Sequence, residues 1–155
     1  MAGLTKKYLT DLPEKVIFLY MKINTKIRYG LRMVIAIAQA NKLVNTTELG
    51  NGMLVSPKYL RKLAGPLEKA GLIKSTQGIY GGYELGKSPE EIDLRMILDA
   101  YHEHLSWTDC VLGKKCELRN SCQAKQVWEM LEKTLQMHFL PITVRDILDN
   151  KVLHS

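Results

Sequence analysis

A serine followed directly by a proline, Ser56-Pro57, fixes where one helix of this chain begins. A hydroxyl side chain can accept from the free N–H groups of a first helical turn, and proline is well tolerated at the first helical position. Downstream, Leu60, Leu63 and Leu67 share one face, Lys58, Arg61 and Lys62 lie elsewhere, and Tyr59 sits between. The spacing predicts an amphipathic helix, kinked or tightened at Pro66 and ended at Gly71. Just upstream, Thr46 or Thr47 can cap a short helix through Glu48 and Leu49 that ends near the Gly-Asn-Gly stretch 50–52. Two short helices joined by a tight turn form a helix-turn-helix.

Residues 72–76 and 82–85 read as short strands around 77–81, so a glycine-punctuated hairpin follows the second helix and makes the motif a winged one. The turn accounts for the glycines but not for Ile79 and Tyr80, which gain little at a tip in water. A DNA groove would give them a surface to cover. Ahead of the motif, Ile27, Leu31, Val34, Ile35 and Ala38 recur at helical steps and predict a helix from Asn24 to about Ala40. Lys22, Lys26 and Arg28 crowd its start, where the helix dipole favours anions; an external phosphate would remove that conflict. Between residues 21 and 76 there are ten Lys and Arg against two Glu, while the whole chain carries +6. A surplus confined to one segment is the electrostatic footprint expected for nucleic acid.

The second half is organised differently. Ser88 and Glu91 fit a capping box, and Asp93 offers a second cap, for a helix running to about His104 with Leu94, Ile97, Leu98 and Tyr101 buried. From about Ser121 to Phe139 the longest helix is expected. Val127, Leu131 and Leu135 are spaced by four, and Trp128, Met130, Met137 and Phe139 widen the apolar face. That face is too broad for one neighbour in a chain of 155 residues, and a two-fold homodimer across it is the economical explanation. Pro141 stops this helix, and residues 143–148 predict a short last one.

Between these helices lie all three cysteines, Cys110, Cys116 and Cys122, with five residues between neighbours. Their surroundings, Gly113-Lys114-Lys115 and Arg119-Asn120-Ser121, are too polar for core cysteines. Structural zinc usually takes C-x₂₋₄-C pairs and four closed ligands, and neither is present. An iron–sulfur cluster takes thiolates from spaced cysteines, and the adjacent cations would favour deprotonation. No H-E-x-x-H spacing, phosphate-binding glycine loop or nucleophile elbow supports an enzyme, and His102 or His104 would be needed beside any catalytic cysteine. The sequence has no apolar run that could cross a bilayer and no signal-peptide pattern, so a cytoplasmic protein with reduced thiols is expected.

The stretches MKINTKIRYGLR at 21–32, SPKYL at 56–60, GPLEKAGL at 65–72, GGY at 81–83, the three cysteines and ITVRDIL at 142–148 together resemble the winged-helix regulators typified by IscR, NsrR, RirA and CymR. The likeness covers nearly everything after residue 20. It implies a mainly α protein with a small β-hairpin wing, a winged helix-turn-helix with a long C-terminal dimerisation helix. It also implies a homodimer on palindromic operator DNA, with RNA polymerase a further candidate partner, and a [2Fe–2S] or [4Fe–4S] cluster held by Cys110, Cys116 and Cys122. The expected DNA-facing residues are Lys26, Arg28, Ser56, Lys58, Tyr59, Arg61, Lys62, Gln77, Gly78 and Tyr80. The chain then divides into an N-terminal extension (1–20) with no assigned role, a DNA-binding domain (21–87), and a region (88–155) holding the cysteine loop (110–122) and dimer helix. Three positions depart from the family pattern. IscR-like members complete the cluster with a histidine three residues after the last cysteine, which here is Lys125. NsrR-like members use an aspartate whose counterpart is Arg28. The wing arginine of IscR-like members is Gln77. The fourth ligand is therefore open, with His104, Asp109 or a residue of the extension as candidates. A thiol- or zinc-based regulator without iron, and an iron–sulfur interaction protein that no longer binds operators, are the competing readings.

Overall fold

The computed structural model describes residues 24–103, 116–117 and 121–153. The extension 1–20, Cys110, His104 and Asp109 lie outside the described residues. The first helix, α1 (Thr25–Ala40), is opened by Asn24, whose side chain accepts from the Lys26 N–H, and closed by Asn41 in the left-handed region at φ 49°. Asparagine tolerates that conformation better than most residues. Its buried face is Ile27, Gly30, Met33, Val34, Ile37 and Ala38; Leu31 and Ile35, expected inside, are half-buried. The shift has a packing cause. Helices and a strand touch α1 on several sides, so the buried arc is centred on Val34 and Ile37 rather than on Leu31 and Ile35.

The second helix, α2 (Thr46–Met53), is capped by Asn45, not by either threonine, and runs through the glycines expected to end it. Its closing residue is Leu54, left-handed at φ 56° and exposed. Helix α3 (Pro57–Lys69) begins at the Ser56 cap as the sequence predicts and continues through Pro66. Strands β1 (Ile73–Thr76) and β2 (Gly82–Leu85) pair antiparallel, Ile73 opposite Leu85 and Thr76 opposite Gly82. Val44 exchanges two backbone hydrogen bonds with Tyr83, at 2.9 and 2.8 Å, and ties the hairpin to the start of α2. A side chain at Gly82 would collide with the Val44 carbonyl, so only glycine permits this approach.

Helix α4 (Leu94–Ala100) is capped by Asp93, which accepts from the Met96 N–H at 2.8 Å. The Ser88–Glu91 bonds form, but in the turn before the helix. The helix stops short of His104 because Tyr101 leaves it, its hydroxyl donating to the Leu63 carbonyl at 2.9 Å, and His102 turns to φ 55°. Helix α5 (Lys125–Thr134) passes into a π-helical turn, Leu135–Phe139, and α6 (Val144–Leu148) follows behind a Thr143–Asp146 capping box. Helix α5 thus begins after Cys122 rather than at Ser121, and α1 is the longest described helix.

One cluster joins these elements other than α5 and its π-helical turn: Met33, Val34, Ile37, Leu60, Leu63, Leu67, Leu72, Ile73, Ile92, Ile97 and Val144 are at most 2% exposed. Burying each such side chain contributes about 1.5–3 kcal/mol. The chain's return to this cluster is held by the Val144 N–H, which donates to the Ile92 carbonyl at 2.8 Å.

Candidate nucleic-acid interface and cysteine segment

The core fixes how α3 is presented. Leu60, Leu63, Ala64 and Leu67 face inward, so Lys58, Arg61 and Lys62 must face solvent. Ser56 locks the start of the helix by accepting from the Tyr59 N–H at 3.2 Å. Tyr59 is half-buried. Its ring meets Tyr29 of α1 edge-on, centroids 5.9 Å apart and planes at 83°, a favoured aromatic geometry. The guanidinium groups of Arg28 and Arg32 lie 5.5 and 5.3 Å from the Tyr29 centroid, within cation–π range. Tyr59 therefore anchors α3 to α1, while two arginines lie over the Tyr29 ring. Arg32 was not singled out by sequence reasoning; its signal is the Arg-Tyr-x-x-Arg spacing at 28–32, which sets both cations beside one ring.

Five of the expected DNA-facing residues fall on two separate surfaces. Arg61, Gln77 and Gly78 line a cleft of about 460 Å³ between α3 and the hairpin, together with Thr46, Ser75 and Thr76. Tyr83 and Glu68 also line it. Burial, then the neighbouring Glu68 carboxylate, push the Tyr83 phenol above its usual value against an opposing pull from Arg61. Lys26 and Lys62 instead line a groove of about 810 Å³ with Lys69, Tyr101 and His102, between α3 and α4. Burial pushes the Tyr101 phenol well up, so it stays a hydrogen-bond donor to Leu63. Tyr80 is 92% exposed at the wing tip beside Gly78, which has φ 111°.

Of the cysteines, Cys116 is exposed, Cys122 is half-buried, both are free thiols, and Cys110 is outside the described residues. Among the described residues no three His, Cys, Asp or Glu side chains gather as a metal site. One feature near Cys122 suits an anionic, thiolate-held group. Its carbonyl accepts from the Lys125 N–H at 3.3 Å, at the start of α5. That helix opens with no side-chain cap and no acidic residue in its first turn, so no carboxylate of that turn offsets the positive end of its dipole. Lys125, at the position where IscR-like members have a histidine, points instead to Glu129, 3.5 Å away. Arg28 is exposed over Tyr29.

A cationic helix held beside a hairpin wing defines a DNA-binding regulator, and the comparisons agree. Residues 23–150 match the Rrf2 family, described as an iron-dependent transcriptional regulator, and the chain belongs to that family of DNA-binding bacterial transcription regulators. It is 31% identical over 131 residues to protein rrf2 of Nitratidesulfovibrio vulgaris, covering 83% of this chain and 87% of that one. Among solved structures it is similar to IscR of T. potens, with 27% identity, TM-score 0.64, and coverage of 89% and 93%. It is likewise similar to CymR, the global cysteine regulator of B. subtilis, with 26% identity, TM-score 0.64, and coverage of 87% and 98%. These relatives and this fold are those of regulators, not enzymes. No helix among the described residues is long and apolar enough to cross a membrane.

Proposed function

We propose that the chain acts in the cytoplasm as a homodimeric regulator whose affinity for palindromic operator DNA is set by an iron–sulfur cluster on Cys110, Cys116 and Cys122. The observation that carries this reading is where the cysteines fall. In sequence, Cys116 and Cys122 fall between α4 and α5, a helix that opens without a side-chain cap or an acidic first turn and that leaves Val127, Met130 and Met137 exposed. A cluster there would supply redox and ligand-exchange chemistry. The chain's own contribution is the thiolates, Lys114, Lys115 and Arg119 beside them in sequence, and a helix start with no acidic residue in its first turn. Whatever repositions α5 would change the spacing of two α3 helices across a dimer axis, and with it the fit to paired half-sites. Lys26, Arg28, Ser56, Lys58, Tyr59, Arg61, Lys62, Gln77, Gly78 and Tyr80 form the DNA side of this reading, with Tyr59 in a supporting place.

The test compares holo-protein with Cys116→Ala on an operator duplex. Cluster-free variant with a changed affinity is expected; cluster-free variant with unchanged affinity contradicts the switch. Lys58→Ala should lower the slope of log affinity against log salt by about one if Lys58 meets a phosphate. The exposure of Cys116 and the likeness to CymR favour one second reading, a thiol-based regulator without iron. In that case protein made without oxygen would contain no stoichiometric iron.

A further inference from the structure

The wing of this protein carries no charge from Ser75 to Gly82, yet its tip holds the two most exposed large apolar side chains among the described residues, Ile79 at 96% and Tyr80 at 92%. They are presented on a tight turn. The Gly81 N–H donates to the Gly78 carbonyl at 3.0 Å, which makes Ile79 and Tyr80 the two central residues of a β-turn. A side chain on Gly81 would strike the Thr76 carbonyl and the backbone of Gln77 and Gly78, so the loop is folded tightly on itself. The hairpin below is paired through Thr76 and Gly82 and tied to Val44. Central turn positions ordinarily take Gly, Asn, Asp, Ser or Pro. Two large apolar residues there need a partner surface.

We propose that Ile79 and Tyr80 form an apolar wedge that enters the minor groove beside the half-site faced by α3 and partly unstacks one base step. The proposal rests on α3 and the hairpin being the DNA-facing surface. Continuity supports DNA as the occupant: Gln77 and Gly78, next to the wedge, line the same cleft as Arg61 of α3. Size supports it too. Two side chains fall far below the roughly 800 Å² per partner of a stable protein interface, whereas an opened base step offers apolar faces to a small apolar wedge. A cation-free tip cannot draw on the electrostatic attraction that a narrow minor groove offers to arginine. It should depend instead on how easily a step opens, which favours TA and CA/TG.

The experiment is selection from a randomised duplex pool by the full-length protein, repeated with the double variant Ile79→Ser/Tyr80→Ser. Both residues are exposed, so the variant should keep the native circular dichroism. The unaltered protein is expected to enrich inverted half-sites with a TA or CA/TG step at a fixed flanking distance. On that duplex, 2-aminopurine at the step should brighten at saturation. The variant should enrich the same half-sites without the flanking preference, bind the selected duplex at least tenfold more weakly, and leave 2-aminopurine dark. A flanking preference and fluorescence unchanged by the double substitution, or absent from the unaltered protein, would overturn the wedge while leaving DNA binding in place. Failure of the unaltered protein to select any duplex would overturn both.

Discussion

Helices α3 and α5 carry similar apolar patterns, and the face of one is fully buried while that of the other is only partly covered. In α3, Leu60, Leu63, Ala64 and Leu67 are at most 1% exposed. In α5 and its π-helical continuation no residue is fully buried: Trp128, Leu131 and Leu135 are half-buried, and Val127, Met130, Met137 and Phe139 are 54%, 65%, 57% and 37% exposed. Hydrophobic periodicity specifies a helix and its apolar face, but not what covers that face. For α3 the cover is α1, α2, α4 and β1 of the same chain. For α5 we propose that it is a second copy.

Substitutions can break that contrast. Leu63→Ala should cost about 2–5 kcal/mol in denaturant unfolding, because its neighbours cannot collapse into the gap. Met130→Lys should leave the circular dichroism of the chain intact and shift sedimentation towards single chains. A Met130→Lys protein that unfolds, or one that stays dimeric, would show that α5 is covered in another way. Gly30→Ala probes where α1 meets the turn after α4: its new methyl would fall within the Tyr101 ring and displace it from Leu63. A loss of about 1–3 kcal/mol is expected, and an unaffected stability would remove this contact from the account.

A gain is expected at the turn between α2 and α3. Leu54 is left-handed and 90% exposed, so Leu54→Gly should relieve about 1–2 kcal/mol of backbone strain, offset in part by the greater freedom of glycine in the unfolded chain. A melting temperature that fell would mean Leu54 has a contact outside the single chain. The smallest effect concerns α6. Hydrogen bonds from the Thr143 hydroxyl and N–H hold the Asp146 carboxyl below its usual value. A lowered folded-state value gives stability that is complete above about pH 4 and is lost as pH falls through the folded-state value. Asp146→Asn should therefore flatten the acid limb of stability, and an identical limb would place the acid sensitivity elsewhere.

Where the sequence was legible, one residue type had one job. Ser56-Pro57 opens α3, Thr143 opens α6, and the glycines bound the wing, because each supplies a property its neighbours lack. Where several residues could do the same job, three-dimensional context decided. Asn45, Thr46 and Thr47 can all cap α2, and the Val44–Tyr83 pairing leaves Asn45 at the point where the extended chain turns into the helix. Long-range contacts had no local signature at all. The end of α4 is set by Tyr101 reaching Leu63, and Tyr59 is drawn half inside by Tyr29, thirty positions away. The separation of Arg61 and Gln77 from Lys26 and Lys62 onto two surfaces is likewise a property of the packing.

Whether Cys110, Cys116 and Cys122 hold a cluster is decided by purifying the protein without oxygen, recording its visible spectrum, and counting iron and acid-labile sulfide per chain. Brown protein with stoichiometric iron and sulfide, lost in Cys110→Ala, Cys116→Ala and Cys122→Ala, is the predicted result. Colourless, iron-free protein that remains so after reconstitution would contradict it, and would assign the three sulfurs to thiol or zinc chemistry in a regulator whose DNA-binding half stands unchanged.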